Sequence, residues 1–270
     1  MKAHRVVLML VAMCTVFSLL APAVASAQAP PACALADFAL LGEASTFNGV
    51  GSADSIYLKA RLKAGRSYVA IAWAPIGGGP LGEDDADLSI DYFTDNTCTT
   101  AATTVAVLPA TAEPSVDVLG HKGAQVSIIP TTSGPAYIRI HNNAPTQVLL
   151  KAIVFETTVF SPWWFAGGAN QAYAEIRNNS GDTVAATLTA FRPNGTVCGT
   201  TNLTIAGDGN TAVDIGALGT CRASVSGSAQ IAFQGAPGGL TANITTIDVT
   251  LGTSFDSPFS PRMVWSLLDR

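Results

Sequence analysis

Ile56-Tyr57-Leu58-Lys59-Ala60-Arg61-Leu62-Lys63 has a period of two: Leu58, Ala60 and Leu62 share one face, and Lys59, Arg61 and Lys63 share the other. Alternate residues take opposite faces in a β-strand, so one side of this segment meets a core and the other meets water. A turn at Gly65 follows, and residues 67–72 read as a more fully apolar strand. Residues 87–91 and 137–141 alternate again, whereas 147–155 is apolar on both faces, as a central or covered strand would be. The later part continues in the same style at 172–177, 184–191, 203–205, 212–215, 223–233 and 241–249, with no repeat of the earlier sequence. Pro193-Asn194-Gly195 separates two of these runs, and Asn-Gly supplies the positive φ angles that a tight hairpin requires. Short strands about 8–12 residues apart, punctuated by Gly, Asn and Pro, predict an all-β chain. The expected architecture is two consecutive antiparallel β-sandwich domains of jelly-roll or immunoglobulin-like form. The boundary falls just before Ser161-Pro162-Trp163-Trp164-Phe165, giving residues 28–157 and 158–270.

Three pieces of the first half are similar to the bacterial pre-peptidase C-terminal domain, a small β-sandwich appended to secreted proteins. They are Leu62-Lys63-Ala64-Gly65-Arg66-Ser67-Tyr68, Asp85-Ala86-Asp87-Leu88-Ser89-Ile90-Asp91-Tyr92 and Ser133-Gly134-Pro135-Ala136-Tyr137-Ile138-Arg139-Ile140. That family usually sits beside a protease domain, which this sequence lacks. The second half resembles the immunoglobulin-like modules of bacterial surface proteins, through Glu175-Ile176-Arg177-Asn178-Asn179-Ser180-Gly181 and the Pro-Asn-Gly hairpin. Such a resemblance implies binding, spacing or packing rather than catalysis.

The amino terminus reads as a cleavable signal peptide, residues 1–27. Lys2 and Arg5 precede an apolar run at 6–20, and Ala25-Ser26-Ala27 sets cleavage before Gln28. The run is shorter than the ~20 residues of a spanning helix, so export, to the exterior, the cell surface or the periplasm, is expected without stable membrane insertion. With Lys2 and Arg5 removed, 12 Lys+Arg face 19 Asp+Glu, a net charge of −7. No basic stripe exists to release counterions from nucleic acid, so none is expected as a partner. Cys33, Cys98, Cys198 and Cys221 remain, an even number in an exported chain. Four cysteines allow three pairings; one bridge per half gives Cys33–Cys98 and Cys198–Cys221.

The acidic run Glu83-Asp84-Asp85-Ala86-Asp87, continued by Asp91, is the sharpest polar feature. Three readings compete for it. It forms a solvated loop, it pairs across strands with Lys59, Arg61 and Lys63, or Asp84, Asp85, Asp87 and Asp91 gather calcium. No other cofactor is expected. Trp163-Trp164-Phe165 is the second feature, because flat aromatics on a sandwich edge stack on sugar rings. Its structural alternative puts one Trp in the core and its neighbour in the seam between domains, with Trp73 and Trp265 as core or edge residues. His121 and His141 read as turn and surface residues, and no nucleophile elbow, zinc motif or phosphate loop accompanies them. Asn178, Asn194, Asn202 and Asn243 begin Asn-x-Ser/Thr sequons that read as composition rather than glycan sites. The expectation is a non-enzymatic exported protein for extracellular binding, adhesion or structure, engaging an unidentified protein or polysaccharide. A carbohydrate-binding pair using Trp163, Trp164 and Phe165, and a small secreted hydrolase, are its rivals.

Overall fold

A computed structural model describes residues 32–74, 87–99, 102, 105–106, 116–118 and 121–261. The proposed signal peptide, Asp84, Asp85 and Trp265 lie outside these residues. The first part contains β1 (Asp37–Phe38), β2 (Ser45–Val50), β3 (Ser55–Leu62), β4 (Tyr68–Trp73) and β5 (Leu88–Phe93). It continues with β6 (Val105–Ala106), β7 (Val116–Val118), β8 (His121–Ile128), β9 (Gly134–Asn142) and β10 (Val148–Glu156). One sheet has the order β1-β3-β9-β5; the other is β2-β10-β4-β8-β6, with β7 also on β8. The alternation that predicted β3 is realised there: Leu58, Ala60 and Leu62 are buried, and Arg61 is exposed. They meet Ile138 and Ile140 of β9 and Leu150, Ala152 and Val126 of the facing sheet in one core. β4 is buried on both faces, because Val69, Ile71 and Ile153 form a small outer cluster with Trp73 and Phe155.

The second part contains β11 (Val159–Phe165), β12 (Asn170–Asn178), β13 (Val184–Phe191), β14 (Val197–Ile205) and β15 (Asn210–Asp214). β16 (Ser226–Phe233), β17 (Leu240–Asp248), β18 (Thr253–Pro258) and β19 (Ser260–Pro261) complete it. The orders are β14-β13-β16-β11-β19 and β15-β12-β17-β18, enclosing a second core around Trp164, Leu188, Ile231 and Ile244. The chain is therefore all-β, with two β-sandwich domains. The pairing is antiparallel except between β1 and β3. The β13–β14 hairpin turns at Pro193-Asn194-Gly195: Gly195 has φ +81° and donates to Arg192 O at 2.9 Å.

A sequence repeat does exist, contrary to the expectation. Tyr137-x-x-Ile140-x-Asn142-Asn143, with Val148 after it, recurs as Tyr173-x-x-Ile176-x-Asn178-Asn179, with Val184 after it. The two asparagines are wholly buried and do the same work. Asn142 Nδ2 donates to the carbonyls of Val50, Gly51 and Thr146, and its Oδ1 accepts from Ala144 N. Asn178 Nδ2 donates to those of Ile205, Ala206 and Asp182, and its Oδ1 accepts from Ser180 N. Each asparagine thus ties together two neighbouring corners where the chain crosses between sheets. Asn142 joins the β2–β3 and β9–β10 corners; Asn178 joins the β14–β15 and β12–β13 corners. The following asparagines also correspond, Asn143 N donating to Asp87 O before β5 and Asn179 N to Gly239 O before β17.

This correspondence extends to the sheets. β3-β9-β5 against β2-β10-β4-β8 matches β15-β12-β17 against β14-β13-β16-β11, each neighbouring pair being antiparallel. Chain order differs by a circular permutation. Among the seven matched strands, the first sandwich begins at β2 and ends at β10, whereas the second begins at β11, the counterpart of β8, and reaches β17, the counterpart of β5, last.

Only Thr157 and Thr158 separate β10 from β11. Ser67 organises this seam: its N donates to Thr158 Oγ1 at 2.8 Å, and its Oγ accepts from Thr157 Oγ1 and from Phe233 N of the second sandwich. Gln230 Nε2 donates to Gly65 O, while Arg66 pairs with Glu156 at 3.0 Å and lies 5.3 Å from the Phe160 ring.

Cys33 is bonded to Cys98, and Cys198 to Cys221. The first bridge holds the 3-10 turn Ala32–Leu35 on the outer face of β9, against Phe93 and Tyr137. The second holds β14 to the 3-10 turn Cys221–Ala223 across 23 residues. A loop of that size constrains the unfolded chain by about 3 kcal/mol. The double substitution Cys198→Ala/Cys221→Ala should lower the unfolding free energy by that amount in urea; an unchanged midpoint would contradict it.

Burial also pushes the Tyr68 and Tyr92 phenols above the ordinary 10.0. Folding therefore favours the protonated rings. The stability they contribute is complete below pH 10.0 and is lost as the pH rises through the folded values. Thermal melting should hold steady to about pH 9 and fall by about pH 11; a flat profile across that interval would count against this burial.

Candidate functional site

Regular alternation along β11 would send Trp163 inward with Val159 and Ser161. A bulge prevents it. Ser161 pairs with Ala229 and Trp164 with Gly227, so Pro162 and Trp163 together oppose the single residue Ser228. Proline suits this place because it has no N–H to give to a ladder. The extra residue turns Trp164 into the core, where it is 0% exposed and its Nε1 donates to Ser228 O at 3.0 Å. Gly227 makes room, since a Cβ there would meet the Phe191 carbonyl and lie 3.0 Å from Trp164 Nε1.

Trp163 is turned outward by the same bulge. Its ring lies 6.1 Å from Phe165 at 13° and 4.8 Å from Phe255 at 24°, a row of three near-parallel rings. Phe255 belongs to β18 in the opposite sheet, so the row bridges one lateral edge of the second sandwich. Ser161 and Ser257 make the neighbouring cross-sheet contact, Oγ to Oγ at 2.9 Å and buried. Trp163 and Phe255 nevertheless remain 43% and 40% exposed. Mutual stacking fixes these rings in place while leaving aromatic surface available to a ligand.

The three aromatics singled out from the sequence therefore divide. Trp163 stands exposed in the row, and Phe165 is half-buried beside it. Trp164 is removed from the row, because a ring with no accessible surface cannot stack on a ligand. Trp163 does not fill the seam, which is made by Ser67, Thr157, Thr158 and Phe233. Phe255 was not foreseen: it is 92 positions from Trp163 in the sequence, and only the facing of β11 and β18 brings the two together.

One reading of the acidic run, pairing with Lys59, Arg61 and Lys63, is not realised at Asp91. β9 lies between β3 and β5, so Lys59, Arg61 and Lys63 are not beside Asp91. Arg139 of β9 is. Its Nη2 reaches Asp91 Oδ2 at 2.6 Å, and its guanidinium lies 5.4 Å from the Phe93 ring. Lys59 instead sits over Tyr137. Asp87 accepts at 3.5 Å from Asn143 Nδ2. Among the described residues no group of three or more His, Cys, Asp or Glu is placed to hold a metal ion. Asp84 and Asp85, half of the proposed calcium set, lie outside them.

His141 meets a hydroxyl, its Nδ1 lying 2.9 Å from Ser55 Oγ. Among the described residues no carboxylate is hydrogen-bonded to this ring. Asn178, first residue of one sequon, is wholly buried. Among the described residues no helix is long and apolar enough to cross a membrane.

No family model matches this chain, and no curated protein matches it. Partial structural likenesses occur to large enzymes. A calcium-binding mutant of Bacteroides uniformis beta-glucuronidase 2 is 11% identical, over 80% of this chain and 27% of that one, at a TM-score of 0.17. A glycosyl hydrolase family 2 member from Bacteroides cellulosilyticus is 8% identical, over 76% and 28%, at 0.19. The Parabacteroides merdae beta-glucuronidase is 9% identical, over 80% and 28%, at 0.18. The chain spans less than a third of the length of these proteins, and at such scores the likeness carries no functional conclusion.

Proposed function

We propose that this is an exported, non-catalytic protein that binds polysaccharide outside the cytoplasm, stacking sugar rings on the Trp163, Phe165 and Phe255 row. The observation that carries this reading is the bulge at Pro162-Trp163, which holds a large aromatic ring at the surface while burying the adjacent one. Sugar rings offer flat C–H faces that suit aromatic side chains, and a pre-ordered row lowers the entropy lost on binding. Two disulfides fit an oxidising compartment, as the export signal requires. The resemblances to appended bacterial sandwiches agree with a binding role. Calcium remains a candidate ligand of the acidic run, and calorimetry with calcium on the mature protein tests it: heat and a raised melting temperature support it, their joint lack removes it.

The stacking claim has a spectroscopic test. Titrating soluble polysaccharides should shift the emission of the exposed Trp163, and Trp163→Phe should abolish the shift. Emission unchanged across xylan, dextran, galactomannan and mixed-linkage glucan would contradict the reading.

A further inference from the structure

The shared Tyr-x-x-Ile-x-Asn-Asn frame allows the outer faces of β9 and β12 to be compared position by position. On β9 the outward row is Tyr137, Arg139 and His141, and every member has a partner within the chain. Lys59 lies over Tyr137, Arg139 binds Asp91 and Phe93, and His141 meets Ser55. The Cys33–Cys98 staple then packs on that face.

On β12 the corresponding row is Tyr173, Glu175 and Arg177. Tyr173 donates to Gln171 Oε1 at 2.8 Å. Glu175 and Arg177 are exposed, and among the described residues neither side chain has a hydrogen bond, ion pair or ring contact. An open groove of about 570 Å³ runs past them, walled on this face by Asn210 of β15 and Thr241 and Asn243 of β17. Arg177 stands between Asn210 and Thr241, and Glu175 between Ala212 and Asn243. The same framework is thus closed by its own side chains in one sandwich and left open in the other.

We propose that this outer face of β15, β12 and β17 is a second binding surface, for a neutral oligosaccharide. This rests on the polysaccharide reading above, but on different residues from the aromatic row. One cation and one anion about 7 Å apart on a strand face leave the groove without net charge, which disfavours an ionic ligand. Guanidinium donates, carboxylate accepts, and the asparagine amides and threonine hydroxyl do both. Sugar hydroxyls, which also donate and accept, match that mixture. The wall lacks the large apolar pocket that anchors a peptide side chain.

Affinity electrophoresis of the full mature protein through gels containing xylan, dextran, galactomannan or mixed-linkage glucan tests the assignment. The protein should be retarded by at least one of them. Because a hydrogen bond to a charged group sustains roughly tenfold or more in affinity, Arg177→Met and Glu175→Gln should each weaken retardation about tenfold, at unchanged melting temperature. Asn243→Ala should weaken it less. Retardation of Arg177→Met and Glu175→Gln equal to the parent's, with Trp163→Ala no longer retarded, would overturn the groove and leave the aromatic row standing. No retardation of the parent in any gel would overturn both.

Discussion

Replacing Asn178 with leucine should lower the unfolding free energy by at least about 4 kcal/mol, although the two side chains are similar in size. The asparagine amide donates to three main-chain carbonyls, those of Asp182, Ile205 and Ala206, at 2.6, 3.1 and 3.0 Å. Its oxygen accepts from the N and Oγ of Ser180. Leucine leaves these groups without their partner, the Ile205 carbonyl in a buried setting and the others part-buried, and each unsatisfied buried polar group costs about 1–3 kcal/mol. Asn142→Leu should behave alike, since it strands the carbonyls of Val50, Gly51 and Thr146. Urea unfolding of both variants checks the claim. A loss below about 1 kcal/mol, no more than one ordinary hydrogen bond, would mean that the corners hold without their asparagines.

The second large effect separates two adjacent tryptophans. Trp164→Ala should cost about 3–5 kcal/mol, the usual range for emptying a large aromatic site in a core. It also strands the Ser228 carbonyl that the indole N–H now satisfies. Trp163→Ala removes a ring that is 43% exposed, so its melting temperature should stay close to the parent's while polysaccharide binding weakens. Equal destabilisation by both would mean that the exposed row is a structural plug for the sandwich edge. Loss of binding in Trp164→Ala has no bearing on the site unless that variant is shown to be folded.

The sequence made the strands legible because alternation survives wherever one face is buried and the other wet. At β3, Leu58, Ala60 and Leu62 needed no tertiary information, and Asn194-Gly195 announced its hairpin through the φ requirement of glycine. What stayed hidden depends on which strands become neighbours. β9 separates β3 from β5, so Asp91 finds Arg139 and the Lys59 stripe goes elsewhere. The bulge in β11 was equally invisible: two consecutive tryptophans always point apart in a regular strand, yet which one enters the core depends on the extra residue at Pro162-Trp163. Asn142 and Asn178 were readable as a repeat in principle, at a constant offset of 36 positions. Their function was not, because the carbonyls they satisfy come from corners distant in the chain and differently ordered in the two sandwiches.

The claim that Trp163, Phe165 and Phe255 form a polysaccharide-binding surface is tested most directly by depletion from solution. Mature protein, Trp163→Ala and Phe255→Ala are mixed with insoluble cellulose, chitin and xylan, and the unbound fraction is measured. The parent should be depleted by at least one of these, and both variants, folded by circular dichroism, should be depleted markedly less. Depletion of Trp163→Ala and Phe255→Ala to the parent's extent, or a parent that binds none of the three, would contradict the assignment.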